Sequence, residues 1–106
     1  MAVIPTGYVS QQQIADEIDR AKQKLGPEVV RLKYTVGLDT SDEPAIHFRI
    51  VLTDAAAKWE TLGEVASRVE QTLFEELRPN ENWGLRSYFN FRSQSEQAET
   101  HDLAWA

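Results

Sequence analysis

Two consecutive stretches of alternating apolar and polar residues constrain the fold of this chain more than any other feature. In the first stretch, Val30, Leu32, Tyr34, Val36 and Leu38 alternate with Val29, Arg31, Lys33 and Thr35. In the second, Ile46, Phe48, Ile50 and Leu52 alternate with His47, Arg49, Val51 and Thr53. A period of two is typical of a strand with one buried face. Because only the turn over residues 39–44 separates the stretches, the sequence predicts an antiparallel hairpin.

A helix is predicted on each side of this hairpin. Ser10 and Gln13 have the spacing of a capping box, so we expect the first helix to begin near Gln11. Its apolar positions are Ile14, Ile18, Ala21 and Leu25, and Gly26 and Pro27 end it. Asp54 is a favourable N-cap for a long helix over residues 55–77. The apolar positions of this second helix recur every three or four residues and are Trp59, Leu62, Ala66, Val69, Leu73 and Leu77. Trp59 is therefore expected in the core.

A third strand and a short helix are predicted after the long helix. Arg78, Pro79 and Asn80 end that helix. From Gly84 onward, apolar Leu85, Phe89 and Phe91 have one parity, and Arg86, Tyr88, Asn90 and Arg92 have the other. Ser93 and Glu96 repeat the capping-box spacing, which predicts a short helix over residues 94–101. Trp83 lies in the preceding turn and is expected at the rim of the core.

The order of elements predicts an α+β fold, α-β-β-α-β with a possible final helix. A chain of 106 residues fits a single domain, here residues 1–106, with an N-terminal extension over residues 1–9 and a tail over residues 102–106. A right-handed helical crossover makes the second and third strands parallel. We therefore expect a three-stranded mixed sheet with helices packed on one face. The sequence leaves open whether the third strand lies beside the first or the second.

Positive charge collects on the predicted open face of this sheet. The side chains with the solvent-facing parity include Arg31, Lys33, His47, Arg49, Arg86, Tyr88 and Arg92, together with Asn90. We call the first seven the basic face. No Asp or Glu has this parity within the three predicted strands, although the chain has 17 acidic residues, 11 Lys and Arg residues and a net charge of −6. This segregation of charge is the most informative functional feature of the sequence.

Three interpretations of the basic face remain open. Long cationic side chains cover apolar area with their stems and protect sheets from edge pairing, so the face can be a solvated surface. It can also bind an acidic protein segment, including one from a second copy of the chain. Nucleic acid is the least favoured ligand, because Tyr88 is the single stacking candidate and the net charge is negative. His47 can titrate near neutral pH there, but a solvated strand histidine is the simpler interpretation.

Several classes of chemistry have no support in the sequence. There is no cysteine, which excludes disulfides and thiolate chemistry. Ser, His and Asp occur without a nucleophile-elbow pattern, and no glycine-rich phosphate loop is present. His101 adjoins Asp102 near Glu99 at the chain end, where ligands for a metal do not converge. The sequence thus predicts no catalytic residues, no cofactor and no hydrolytic activity.

The two ends of the chain carry further expectations. Residues 1–13 are uncharged but too short and too polar for a membrane span, and they lack the pattern of a signal peptide. We therefore expect a cytoplasmic protein without membrane contact. Leu103 and Trp105 place two large apolar side chains in the tail. Trp105 either folds back onto its own domain or anchors in another chain.

Short segments of the sequence carry resemblances to known groups. The element order, with "AIHFRIVLTD" as the second strand and "TLFEELRP" ending the long helix, resembles BolA-type domains, type-II KH domains and the cytoplasmic domains of cation diffusion facilitators. The Gly-x-x-Gly loop of KH domains, the BolA-type histidine after Thr53 and the facilitator metal histidines are missing. These resemblances therefore imply topology and not activity.

A closer resemblance covers residues 28–106. The segments "EPAIHFRIVLTD", "ELRP" and "YFNFRSQSEQ" resemble a group of small uncharacterised bacterial proteins whose genes lie beside those for HEPN-like helical proteins. This resemblance implies a partner or antitoxin-like role beside a helical, RNA-cleaving protein.

The leading hypothesis is a non-catalytic protein-interaction module, which binds another protein chain or forms a homo-oligomer. The alternative is a regulatory domain that binds an anionic ligand or nucleic acid through the basic face. A hydrolytic enzyme is the third hypothesis.

Overall fold

The computed structural model describes residues 11–100 and confirms the α+β fold and its element order. The elements, in chain order, are α1 (Gln11–Lys22), β1 (Val29–Leu38), β2 (Pro44–Leu52), α2 (Trp59–Leu77), α3 (Pro79–Trp83), β3 (Arg86–Ser93) and α4 (Gln94–Thr100). The predicted cap at Ser10, the extension over residues 1–9 and the tail over residues 102–106 lie outside the described residues.

The sheet has three strands in the order β1-β2-β3. β1 and β2 pair antiparallel, with Tyr34 opposite Phe48, as the hairpin prediction requires. β3 runs parallel to β2, with Phe48 opposite Phe89, as the crossover argument predicts. The position of β3, which the sequence leaves open, is thus beside β2. β2 becomes the central strand and is paired on both sides.

The core lies between the sheet and the helices α1 and α2. β2 contributes Ile46, Phe48, Ile50 and Leu52, all with 0% of their surface exposed. The predicted stripe of α1 is buried as well and consists of Ile14, Ile18, Ala21 and Leu25. α2 contributes Val65, Val69, Leu73 and Leu77. Within residues 11–100 no polar or charged side chain is buried, so hydrophobic burial is the main interaction that holds these layers together.

The prediction that Asp54 caps α2 is wrong. α2 begins at Trp59, and Lys58 takes the N-cap position without a side-chain hydrogen bond. The Asp54 carboxylate instead accepts hydrogen bonds from the backbone N–H of Ser95 at 2.9 Å and from its hydroxyl at 2.5 Å. Ser95 lies in the first turn of α4, where orphan N–H groups favour a carboxylate. Asp54 therefore caps the last helix, a partnership over 41 residues that local spacing does not reveal.

The prediction that Trp59 lies in the core is also wrong, since 91% of its surface is exposed. The fully buried residues of α2 begin at Val65 and recur every four residues to Leu77. Trp59 is the first residue of the helix, about 9 Å along its axis before Val65, so its side chain lies beyond the packed part of α2. The Thr61 hydroxyl meanwhile donates toward the carbonyl oxygens of Ala55 and Ala56, which precede the helix.

β1 departs from strict alternation at both ends. The register shifts between Val29 and Arg31, which marks a bulge at Val30. Val30 is consequently 44% exposed, contrary to its predicted place in the buried parity, while Val29 packs against the core. Leu38, at the turn, is exposed to the same extent. The other even-numbered residues of β1 keep the predicted orientation.

A short helix, α3, occupies the segment predicted only as a helix stop. Arg78 ends α2 in the left-handed conformation, with φ of 41°, and its N–H donates to the Phe74 carbonyl. Pro79 then occupies the first turn of α3, where its missing N–H costs nothing. This reversal places Trp83 in the core, with 5% of its surface exposed.

Trp59 and Trp83 provide a matched test of this core. We expect Trp83→Ala to lower the free energy of unfolding by about 3–5 kcal/mol, because it opens a cavity in the core. Trp59→Ala should change it by less than about 0.5 kcal/mol, as is usual for an exposed side chain. Urea denaturation followed by circular dichroism measures both values. A large loss in Trp59→Ala would contradict the placement of its indole in solvent.

Candidate functional site

The structure brings all seven residues of the basic face to the same side of the sheet. The strand registers align them in rows that run across the three strands. From one end to the other, the rows are Arg31–Val51–Arg92, Lys33–Arg49–Asn90, Thr35–His47–Tyr88 and Gly37–Ala45–Arg86. This side is opposite to the one that carries Phe48 and Ile50. The three rows with two or more large polar side chains form a surface with cations on every strand.

The middle of the basic face is a pair of cations on neighbouring strands. Lys33 of β1 lies directly opposite Arg49 of β2. Lys33 is exposed, whereas Arg49 on the central strand is half-buried. The Arg49 guanidinium donates to the Thr35 hydroxyl at 2.6 Å. Neither Lys33 nor Arg49 forms an ion pair with a residue in the range 11–100, so two like charges face each other across the ladder.

One end of the basic face is built around Val51. This side chain has the outward parity but only 4% of its surface is exposed. Arg31 and Arg92 lie opposite it on the two neighbouring strands, where their aliphatic stems can cover it. The Arg92 guanidinium also donates to Gln97 and Thr100 of α4, at 3.3 and 3.2 Å. Arg92 therefore serves packing as well as charge.

The other end of the basic face carries a carboxylate that the sequence analysis missed. The Tyr88 hydroxyl donates to Asp39 Oδ2 at 2.7 Å. Asp39 lies in the turn after β1, and its number continues the parity of Arg31, Lys33 and Thr35. Extending that parity by one residue beyond the strand would have found it. Asp39 thus marks the acidic limit of the basic face near Arg86.

Tyr88 has an aromatic neighbour on the same face. The rings of His47 and Tyr88 stack with centroids 5.3 Å apart and an interplanar angle of 15°. Tyr88 is 38% exposed, and His47 is half-buried. The stacking candidate is therefore a pair of rings rather than the lone tyrosine described above.

The Asp39 carboxylate is held in its charged form. The backbone N–H of Glu43 donates to Asp39 Oδ1 at 3.0 Å, Tyr88 donates to Oδ2, and the N–H of Ser41 donates to Oδ1 at 2.8 Å. These donors, in that order of effect, lower the pKa of Asp39 below its ordinary value of 3.8, and the nearby Arg86 charge adds to them. The network fixes the turn and orients Tyr88 on the sheet.

The described part of the chain has neither a metal-binding cluster nor a membrane-spanning helix. Residues 11–100 contain no cluster of three or more His, Asp or Glu side chains that could hold a metal ion. No helix among them is long and apolar enough to cross a membrane. Leu103 and Trp105, the predicted docking residues of the tail, lie outside the described residues, as does His101.

Comparisons with known proteins add no relatives. No family model, no curated protein and no solved structure matches this chain.

The Asp39 network predicts a loss of stability in acid. A lowered pKa in the folded protein means that the charged carboxylate stabilises the fold above the unfolded pKa of 3.8. This contribution is lost as the pH falls from there through the lower pKa of the folded state. We expect Asp39→Asn to reduce stability at neutral pH and to flatten the stability profile below pH 3.8. Urea denaturation at several pH values measures this. Equal acid sensitivity of both proteins would contradict the role of Asp39.

Proposed function

We propose that this protein is a non-catalytic interaction module, whose basic face binds an acidic segment of another protein chain. The observation that carries the proposal is the pair Lys33 and Arg49, for which residues 11–100 supply no acidic partner. Like charges directly opposite each other on neighbouring strands destabilise a sheet. A carboxylate placed above the pair removes that repulsion and interacts with both cations. Binding an acidic segment thus gains energy from a feature that costs the free protein stability.

The partial burial of Arg49 strengthens this argument. A cation on the central strand is flanked by both neighbouring strands and is screened less by water than one at an edge. Its guanidinium presents several N–H donors to a carboxylate, of which Thr35 uses one. An acidic side chain over Arg49 therefore meets oriented donors as well as charge.

A single-stranded nucleic acid is the second candidate ligand, and the His47–Tyr88 stack is the observation that favours it. Aromatic rings beside cations on a sheet surface are a common platform for unpaired bases. The position of Asp39 favours protein instead. It lies at the aromatic end of the face, where a base stacked on Tyr88 would bring its phosphate, and it repels that phosphate. A carboxylate over Lys33 and Arg49 lies in the neighbouring row and avoids this contact.

The cellular setting that we propose follows the resemblance of residues 28–106 to small bacterial proteins. There the chain acts in the cytoplasm as the small member of a two-gene pair, beside a helical partner. In that setting Leu103 and Trp105 supply apolar anchors, which add to the charge contacts of the basic face.

The Lys33 and Arg49 pair gives the sharpest test. We expect the double variant Lys33→Gln/Arg49→Gln to bind fluorescein-labelled oligoglutamate about two- to thirtyfold more weakly, since each exposed ion pair contributes about 0.2–1 kcal/mol. Its stability should stay equal or rise by a few tenths of a kcal/mol, because the repulsion is gone. Fluorescence anisotropy measures the binding, and urea denaturation measures the stability.

Arg20→Gln/Lys58→Gln is the matched control, because it makes the same change in net charge at positions outside the basic face. It should bind as the natural protein does. Equal weakening in both double variants would show that only net charge matters and would refute a defined site. Tighter binding of oligouridylate than of oligoglutamate would establish the nucleic-acid alternative.

A further inference from the structure

The outer edge of β1 is not paired with another strand in the described part of the chain. β1 has ten residues and lies at one end of the strand order, so β2 pairs with only one of its sides. An unpaired edge presents a row of N–H and C=O groups that can pair with a further strand.

A hydrogen bond in the turn after β1 shows which of these backbone groups point away from β2. The Asp39 N–H donates to the Glu43 carbonyl, so these two residues form a hydrogen-bonded pair. Hydrogen-bonded and non-hydrogen-bonded pairs alternate along an antiparallel ladder. From Arg31 to Leu38 the register is uninterrupted. Lys33 and Thr35 therefore bond to β2, whereas the backbone N–H and C=O groups of Leu32, Tyr34 and Val36 point away from it.

A groove of about 530 Å³ accompanies this edge. It lies between β1 and the end of α1 and is lined by Lys22, Leu25, Val29, Val30, Arg31, Leu32 and Lys33. These seven lining residues are apolar or cationic, and none of them is acidic. The bulge at Val30 leaves part of its apolar wall exposed.

We infer that β1 accepts an extended segment of a partner protein as a fourth strand, and that this segment alternates acidic and apolar residues. The inference rests on the function proposed above and specifies how the acidic segment binds. A strand beside β1 places alternate side chains on opposite sides of the sheet. One set then lies beside Lys33 on the basic face, which favours Glu or Asp. The other set faces the groove beside Leu25, which favours apolar residues.

The same charges disfavour a second copy of this chain at the edge. Pairing of β1 with β1 of another copy would bring Lys33 of both strands onto one surface. Like charges on neighbouring strands are destabilising. A partner that supplies a carboxylate beside Lys33 turns the same contact into attraction. The positive charge at this edge therefore favours pairing with an acidic strand over pairing with a second copy of β1.

Amide hydrogen exchange tests this inference on the natural protein, with a peptide of alternating Glu and Val as long as β1 as the probe. When the peptide is added, hydrogen exchange at the backbone amides of Leu32, Tyr34 and Val36 should slow by tenfold or more. The amides of Lys33 and Thr35, already bonded to β2, should change little. An unchanged exchange rate at the three outward amides overturns the strand addition.

A proline variant provides a second measurement. Val36→Pro removes an outward N–H without removing a bond to β2, and edge strands tolerate proline at such positions. Val36→Ala is the matched control, since it shortens the same side chain and keeps the N–H. We expect Val36→Pro to bind the peptide about three- to tenfold more weakly than Val36→Ala, the equivalent of one lost hydrogen bond. Equal affinities would contradict backbone pairing.

Control peptides separate this inference from the proposed function. A peptide with the same residues in one block of Glu and one block of Val, and a peptide of alternating Lys and Val, should both fail to protect the outward amides. If oligoglutamate binds through Lys33 and Arg49 but no peptide protects β1, strand addition is wrong and the proposed function stands. If neither ligand binds, both the strand addition and the proposed function are wrong.

The free protein provides a further control. If the outward amides are already protected without peptide, the inference is wrong. Protection that rises with protein concentration would indicate that a second copy occupies the edge, and protection that does not would indicate the chain's own residues 1–10 or 101–106.

Discussion

The central position of β2 is the constraint on which the rest of the structure depends. Four of its side chains, at alternating positions from Ile46 to Leu52, have no exposed surface. Burying them requires α1 and α2 on one side of the sheet and a paired strand on each edge of β2. A shift of its register by one residue would send these side chains to the opposite side of the sheet. β1, β3 and both large helices are therefore positioned by one strand.

The same strand explains why cations gather where they do. Because one side of β2 is filled by apolar residues, its polar residues His47 and Arg49 have only the other side available. They lie half-buried between the side chains of β1 and β3. A charge held there has fewer waters and fixed neighbours, so an anion that reaches it loses less energy to screening. The charge segregation of an acidic protein thus becomes a property of one defined surface.

Periodic segments were predictable from the sequence, and partnerships between distant residues were not. The stripe of α1 and the alternation of β2 follow from local spacing and are buried as expected. The capping box of α4 is also local: the Ser93 and Glu96 side chains each accept a hydrogen bond from the other's backbone N–H. Asp54 failed as a predicted cap because its partner Ser95 is brought to it by the fold. Trp59 failed because residues 54–57 form turns, so α2 begins only at Trp59.

In the basic face, too, local features were predictable from the sequence and contacts between distant residues were not. Strand parity predicted which side chains share a side of the sheet, but it said nothing about their order across the strands, which depends on the place of β3 beside β2. The opposition of Lys33 and Arg49 follows from the hairpin register, whereas the His47–Tyr88 stack needs the parallel ladder. Asp39 was missed because it lies in the turn, just past the end of the strand.

The two ladders of the sheet differ in how far apart their strands lie along the chain, and this difference bears on folding. A short turn joins β1 to β2, whereas α2 and α3 separate β2 from β3. Contacts between residues close in sequence cost less loop entropy and form earlier. The hairpin can thus assemble before β3 docks. Lys33 and Arg49 both belong to the hairpin, so the central cation pair forms with it, whereas Arg86, Tyr88 and Arg92 join the surface only when β3 pairs with β2.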